Sequence, residues 1–220
     1  MTTARPIITV GGIDGSGKSS FARRLAAAFG VAGLPAVLLH VDDFRRGVDW
    51  TRTDRAPEEI YGEDYFDFAA VDACLAAFRA GLPAASRPRF DGATEQLSGT
   101  IDVPMQGARV AVVEGVFMMR LPSTEEHFRV WMRSSYELGR RRIIERGDPP
   151  WRTEAEWNFR IDERYFPAQR RYLSDLRPEE RADVVIENED WQRPVLVRAD
   201  LVRLPEPFRG VVESVLPRRG

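Results

Sequence analysis

The chain has 220 residues, 43% hydrophobic and 30% charged, which is enough apolar material for a core and excludes a wholly disordered polypeptide. Its 32 basic and 34 acidic residues leave a formal net charge of −2, a balance that argues against a general nucleic-acid binder. A single cysteine, Cys74, and two histidines, His40 and His127, exclude an intrachain disulfide and a cysteine-rich zinc site and argue against a histidine-built metal site. No apolar run approaches the ~18 residues of a membrane span. Residues 1–6 lead straight into a strand pattern and leave no room for a signal peptide, so a cytoplasmic protein without a membrane partner is expected.

In chain order, the β-branched run 7–10 reads as a buried strand and residues 11–17 as a glycine-rich loop. Residues 19–29 have helical spacing, with Phe21, Leu25, Ala28 and Phe29 on one face and Gly30 and Gly33 at the end. A second buried strand, 36–41, is ended by Asp42 and Asp43, and a polar segment follows from 45 to 59. A helix is predicted over 66–80, stopped by Gly81 and Pro83. Residues 84–107, with a turn signal at Ser98-Gly99, suggest a small hairpin. Further buried strands fall at 109–114, 128–132 and 183–186. Helices are predicted over 135–145 and 154–176, and Pro167 should bend or break the second. The tail beyond Pro194 has strand-like pieces and prolines that the pattern does not place. Strands alternating with helices indicate an α/β fold with a mainly parallel five-stranded sheet. No repeat or linker divides the chain. It reads as one domain over 1–220, with an acceptor-side insertion at about 45–107 and a lid at about 135–165.

The chemistry concentrates in one segment. Gly12-Ile13-Asp14-Gly15-Ser16-Gly17-Lys18-Ser19 matches the phosphate-loop pattern, after a strand and at the start of a helix. Glycines let backbone N–H groups converge on phosphate oxygens, and the helix N-terminus adds positive potential. Of the 32 basic residues 31 are arginine, so Lys18 in this loop is the only lysine. The candidate nucleotide-binding residues are Gly12, Asp14, Gly15, Ser16, Gly17, Lys18, Ser19 and Ser20, with ATP and Mg²⁺ as expected cofactors and the Ser19 hydroxyl as a metal ligand. In open α/β sheets ligands bind beyond the carboxyl ends of the strands. Asp42, Asp43 and Glu114 end two of them, where a general base and a metal-organising carboxylate would sit. Turn capping and a solvated strand end are the plainer readings of these carboxylates.

These segments carry a resemblance. The loop 12–19, then Val41-Asp42-Asp43-Phe44, then Glu114-Gly115-Val116-Phe117, then Ala182-Asp183-Val184-Val185-Ile186 resemble, in order and across most of the chain, the uridine kinase family of P-loop kinases, with phosphoribulokinase and bacterial pantothenate kinase as relatives. The resemblance implies a P-loop NTPase fold and ATP-dependent transfer of a phosphoryl group to the hydroxyl of a small-molecule acceptor. It implies that Asp42 is the base, that Glu114 lies near the metal, and that Asp67 binds substrate. The arginine-rich segment Arg140-Arg141-Arg142 and Arg146-Gly147 resembles the family's lid, with Arg142 and Arg146 as phosphate clamps, since a guanidinium suits phosphate oxygens bidentately. A solvated helix face is the competing reading of that segment.

The departures fall on the acceptor side. The family's P-x-Y-D segment is Pro88-Arg89-Phe90-Asp91 here, which keeps an aromatic platform in Phe90. Glu95 and Leu97 stand where the family has its nucleoside-holding His and Arg, so uridine specificity is expected to be weak. Arg164 and Tyr165 are candidates for the acceptor pocket. The aromatic residues Trp151, Trp157, Phe159, Phe166 and Tyr172, together with Cys74, read as packing; His40, at a strand end, reads as structural, with an approach to the site as the alternative. A GTPase would need an [NT]-K-x-D motif, which a chain whose only lysine is in the phosphate loop cannot contain. A catalytically degenerate nucleotide-binding regulator and a pantothenate- or sugar-type kinase stay open as alternatives, as does self-association.

Overall fold

The computed structural model describes residues 5–48, 50, 54–92, 94–147, 149–150 and 152–218; Trp151 and Asp148 lie outside the described residues. The central sheet is built from β1 (Ile7–Gly12), β2 (Ala36–His40), β5 (Val110–Gly115), β6 (Phe128–Arg133), β7 (Val184–Glu187) and β8 (Val195–Ala199), in the order β2-β5-β1-β6-β7-β8. All neighbours are parallel except β8, which runs antiparallel to β7. The middle strands β1 and β5 are buried along their whole length. That is why they read as continuous apolar runs rather than as alternating ones.

Helices cover both faces. On one, α1 (Lys18–Val31) packs Phe21, Leu25 and Phe29 against Ile8, Val10 and Val112. On the other, α3 (Phe68–Ala80) and α6 (Phe166–Leu176) bring Val71, Leu75, Phe78 and Tyr172 against Leu39, Val113 and Trp131. The sheet has six strands, not five. The unplaced tail supplies β8 and then α8 (Phe208–Val215), whose Phe208 packs on Phe29 with ring centroids 6.2 Å apart. The expected helix over 66–80 begins later, because Asp67 caps it by accepting the Ala70 N–H at 3.0 Å. The hairpin is present as β3 (Ala84–Asp91) and β4 (Gln96–Pro104), antiparallel, with an irregularity between Pro88 and Phe90.

Pro167 does not break its helix. The segments α5 (Glu154–Arg160) and α6 are joined by one wide π-type turn, Ile161–Tyr165, and Pro167 sits in the first turn of α6. There its missing N–H and the steric demand of its ring are absorbed by the wide turn. Helix α4 (Tyr136–Arg146) starts at Ser135, whose hydroxyl accepts the Leu138 N–H. Two short helices, α2 (Pro57–Glu63) and α7 (Pro178–Arg181), complete the fold. No helix among the described residues is long and apolar enough to cross a membrane.

One buried histidine gives a stability prediction. Ser123 donates its proton to Asp72, so the Nε2–H of His127 donates to Ser123 Oγ at 2.9 Å, and Nδ1 is left as a buried acceptor with no partner among the described residues. Burial, helped by Arg79, pushes the imidazole down to about 4. The unfolded chain, with a histidine near 6.5, then binds more protons than the folded one between those values. Stability is fully present above about 6.5 and is lost as pH falls toward 4, by roughly 3 kcal/mol for this group. Melting curves from pH 7 to 4.5 should show that loss, and His127→Gln should flatten it.

Candidate active site

The phosphate loop leaves β1 at Gly12 and enters α1 at Lys18. Gly15 and Gly17 take φ values of +79° and +91°, which only glycine adopts without cost. A Cβ on Gly12 would lie 2.4 Å from Ser16 Oγ, so the turn closes only around bare backbone. Lys18 Nζ rests 3.2 Å from Asp14 Oδ1 and 3.4 Å from the carbonyl oxygen of Ile13. Burial pulls this ammonium down, but the carboxylates of Asp14, Glu114 and Asp42 outweigh it and hold its pKa above the ordinary value. Lys18 is therefore fully charged and surrounded by carboxylates.

The loop is braced by residues that sequence patterns did not single out. Gln169 on α6, fully buried, accepts the Asp14 N–H at 3.1 Å and donates to Asp14 Oδ2 at 2.8 Å. Tyr61 on α2 donates to the same oxygen at 3.1 Å. Asn188 donates to the Ser16 carbonyl oxygen at 2.8 Å. Arg142 donates to the carbonyl oxygens of Gly15 (3.1 Å) and Asn188 (2.9 Å), so it ties α4 to the loop and to the end of β7. Removing Gln169 leaves the part-buried Asp14 N–H without its acceptor and Oδ2 with Tyr61 alone. Gln169→Ala should cost about 1–3 kcal/mol, seen as a lower melting temperature together with weaker ATP binding.

The carboxylates at the strand ends are separated by their local geometry. The strand expected over 36–41 ends one residue earlier, at His40, and the backbone then enters a 3₁₀ turn, Val41–Phe44. Asp43 is taken by Arg87 at 3.1 Å, which also donates to its carbonyl oxygen. Asp42 opens onto the cleft and pairs with Arg45 at 3.2 Å. Desolvation works to raise the Asp42 carboxyl, but Arg45, Lys18 and Arg146 outweigh it and hold it below the usual carboxylate range. Glu114, buried at the end of β5, accepts from His40 Nδ1 at 2.6 Å, and that hydrogen bond raises the histidine's pKa. His40 therefore holds the Glu114 carboxylate at the strand end.

Ser19, at the first turn of α1, and Glu114 are oxygen donors, the kind of protein ligand Mg²⁺ takes when phosphates and water fill the rest of its shell. They fit that ion. Among the described residues no group of three His, Cys, Asp or Glu side chains is placed to hold a metal ion.

The cleft beyond the loop encloses about 540 Å³ and is lined by Asp14, Asp42, Arg45, Tyr61, Arg146 and Tyr165 among others. Arg146 has no ion-pair partner among the described residues and faces the cleft from the end of α4. Phe90 stands at the edge, under Arg45 at 5.6 Å and against Tyr65 at 6.4 Å. Tyr165 stacks on Tyr61 with centroids 4.7 Å apart. Two expected acceptor contacts are placed elsewhere. Asp67 caps α3 and pairs with Arg46 at 3.2 Å, off the cleft wall. Arg164 lies flat on Trp50 at 3.8 Å, behind the wall. A second cavity, about 360 Å³, lies on the other side of the loop, between Gly17, Ser20, Arg142, Asn188 and Trp191.

No protein-family model matches the sequence, and no curated protein is found similar to it. Solved structures are similar in fold. A candidate uridine kinase from Bacillus stearothermophilus superposes with a TM-score of 0.64 at 22% identity, over 84% of this chain and 90% of that one. A candidate fructose transport system kinase from Silicibacter sp. TM1040 gives a TM-score of 0.60 at 21% identity, over 77% and 85%. The chain thus shares the P-loop kinase fold, an α/β architecture with a mostly parallel six-stranded sheet between helices.

Proposed function

We propose that this chain is an ATP-dependent small-molecule kinase that transfers the γ-phosphoryl group to an acceptor hydroxyl. The observation that carries the reading is the placement of an ionised, cleft-facing Asp42 within electrostatic reach of Lys18 in a complete phosphate loop. Phosphoryl transfer needs positioning and charge neutralisation more than covalent help. In this reading the loop N–H groups and Lys18 hold the phosphates, and Arg146 meets them from the lid. Asp42 takes the proton of the acceptor hydroxyl. Ser19 and Glu114 would hold Mg²⁺ together with the phosphates, and the ion would supply further charge neutralisation. The cavity beside Ser20, Asn188 and Trp191 has the size and the mainly apolar walls for the nucleotide's base.

The test is an ADP-release screen over nucleosides, sugars, sugar phosphates and vitamins. At least one acceptor is expected to raise ADP release well above the rate with ATP alone. ATP binding without any acceptor-dependent release would favour the regulatory reading instead. Uridine and cytidine are expected to stay below a kcat/KM of ~10⁵ M⁻¹s⁻¹, the ordinary enzyme range. Glu95 is tied to Arg160 at 2.7 Å, and Leu97 is half exposed, so neither offers a nucleoside the hydrogen bonds of His and Arg.

A further inference from the structure

At the end of the cleft away from the phosphate loop, three arginines gather on one carboxylate. Arg160 pairs with Glu95 at 2.7 Å and Arg152 with the same oxygen at 3.6 Å. Both line the cleft, and their side chains are only 17% and 14% exposed. Behind them Arg164 lies on Trp50, with Nε and one terminal nitrogen buried and lacking a hydrogen-bond partner among the described residues. Burial, and then the charge of Arg160, holds both Arg152 and Arg164 below the ordinary arginine range. Glu95 itself sits at φ +55°, a left-handed conformation that a non-glycine residue adopts only when its surroundings impose it. The other carboxylate on this wall, Asp91, accepts from the Thr94 N–H at 3.2 Å.

Gathering like charges away from water is costly unless anions offset them. Glu95 pairs with two of the three, so the arginines outnumber the carboxylate they share. The donors left over belong to planar guanidinium groups, which match carboxylate and phosphate oxygens bidentately. Beside them the wall is aromatic, from Tyr61, Tyr65 and Tyr165, and the Tyr61 hydroxyl is already given to Asp14.

We infer that the acceptor is an anionic alcohol, one that carries a carboxylate or phosphate group, and that Arg152 and Arg160 hold this group while the hydroxyl points to Asp42. The inference rests on the kinase reading above, and its test has two arms so that the two can fail separately.

In the first arm, ADP release is compared within pairs of acceptors that differ in the anionic group: glycerate and glycerol, ribose 5-phosphate and ribose, uridine 5′-phosphate and uridine. The charged member of a pair should have a kcat/KM at least about tenfold higher. Arg152→Gln or Arg160→Gln should raise its KM about 10–100-fold, the worth of one charge-assisted hydrogen bond, and Arg160→Lys should restore part of that. Whether the carboxylate or the phosphate pairs respond identifies the group. Neutral members turned over as well or better would overturn the inference and leave the kinase reading standing.

In the second arm, malonate and inorganic phosphate are titrated against protein saturated with Mg²⁺ and a non-hydrolysable ATP analogue, which blocks the phosphate loop. Binding that weakens about tenfold or more in either Gln variant supports the anion site even where no acceptor is turned over, and the failure then lies with the kinase reading. No binding, or binding unchanged by both substitutions, overturns the inference. Unaltered affinity for the ATP analogue in each variant verifies that it is folded.

Discussion

Lys18→Ala is expected to lower acceptor-dependent ADP release by about 10³-fold or more and to weaken ATP binding. No other lysine exists to supply the charge. Arg142 is committed to backbone carbonyl oxygens and Arg45 to Asp42, and Arg146 faces the cleft from the end of α4 rather than from within the loop. The magnitude follows from the chemistry. Charge develops on the transferring phosphoryl group, and a preorganised cation in a buried loop stabilises it without reorganising water. Lys18→Arg is expected to fail nearly as badly. Lys18 is buried, and the turn beneath it is closed by bare glycine backbone, so a planar guanidinium cannot take the place of a compact ammonium. Steady-state rates and equilibrium ATP binding on the same preparations check this. A wild-type rate in either variant would remove the loop from the chemistry.

The loop was legible because its whole signal is local: consecutive residues between a strand and a helix. The buried parallel strands were legible for a similar reason, since burial on both faces writes an unbroken apolar run. The sixth strand was not. Val195–Ala199 is an edge strand, partly exposed along its length, and prolines surround it. Its apolar residues matter only because β7 and α8 lie against it. The turn after β2 left no mark, since four residues of 3₁₀ structure have no periodicity to detect, and Val41 reads as strand by its apolar side chain.

The site divides along the same line. Asp42, Glu114 and Arg146 stand in or beside recognisable segments. Gln169 and Tyr61 grip Asp14 from 155 and 47 residues away, and nothing local marks a glutamine inside a helical pattern as the brace of a distant loop. The clasp of Glu95 with Arg160 likewise spans 65 residues. Asp67 is the reverse case. An aspartate just before an apolar helical run is a capping signal, and that signal was available in the sequence.

Asp42→Asn should leave ATP affinity within about threefold of the unmodified protein, under ~1 kcal/mol, while kcat falls by roughly 10²–10⁴, the usual worth of acid–base catalysis. The 3₁₀ turn decides which aspartate acts. It turns Asp43 toward β3, where Arg87 holds it, and leaves Asp42 on the cleft. Asparagine keeps the size and removes the basicity. Arg45 loses its carboxylate, but that pair is open to the cleft, so stability should change little. The pH dependence follows from the direction of the shift. Arg45, Lys18 and Arg146 hold the Asp42 carboxyl below the usual carboxylate range. The base stays ionised as pH falls through that range, and kcat should decline only below it. A base this weak is sufficient because the transition state of phosphoryl transfer is loose and the acceptor proton leaves late. In Asp42→Asn that acid limb should vanish along with the rate, whereas Asp43→Asn should keep both. The opposite outcome, with Asp43→Asn inactive and Asp42→Asn unimpaired, would transfer the role of base to the aspartate that Arg87 holds.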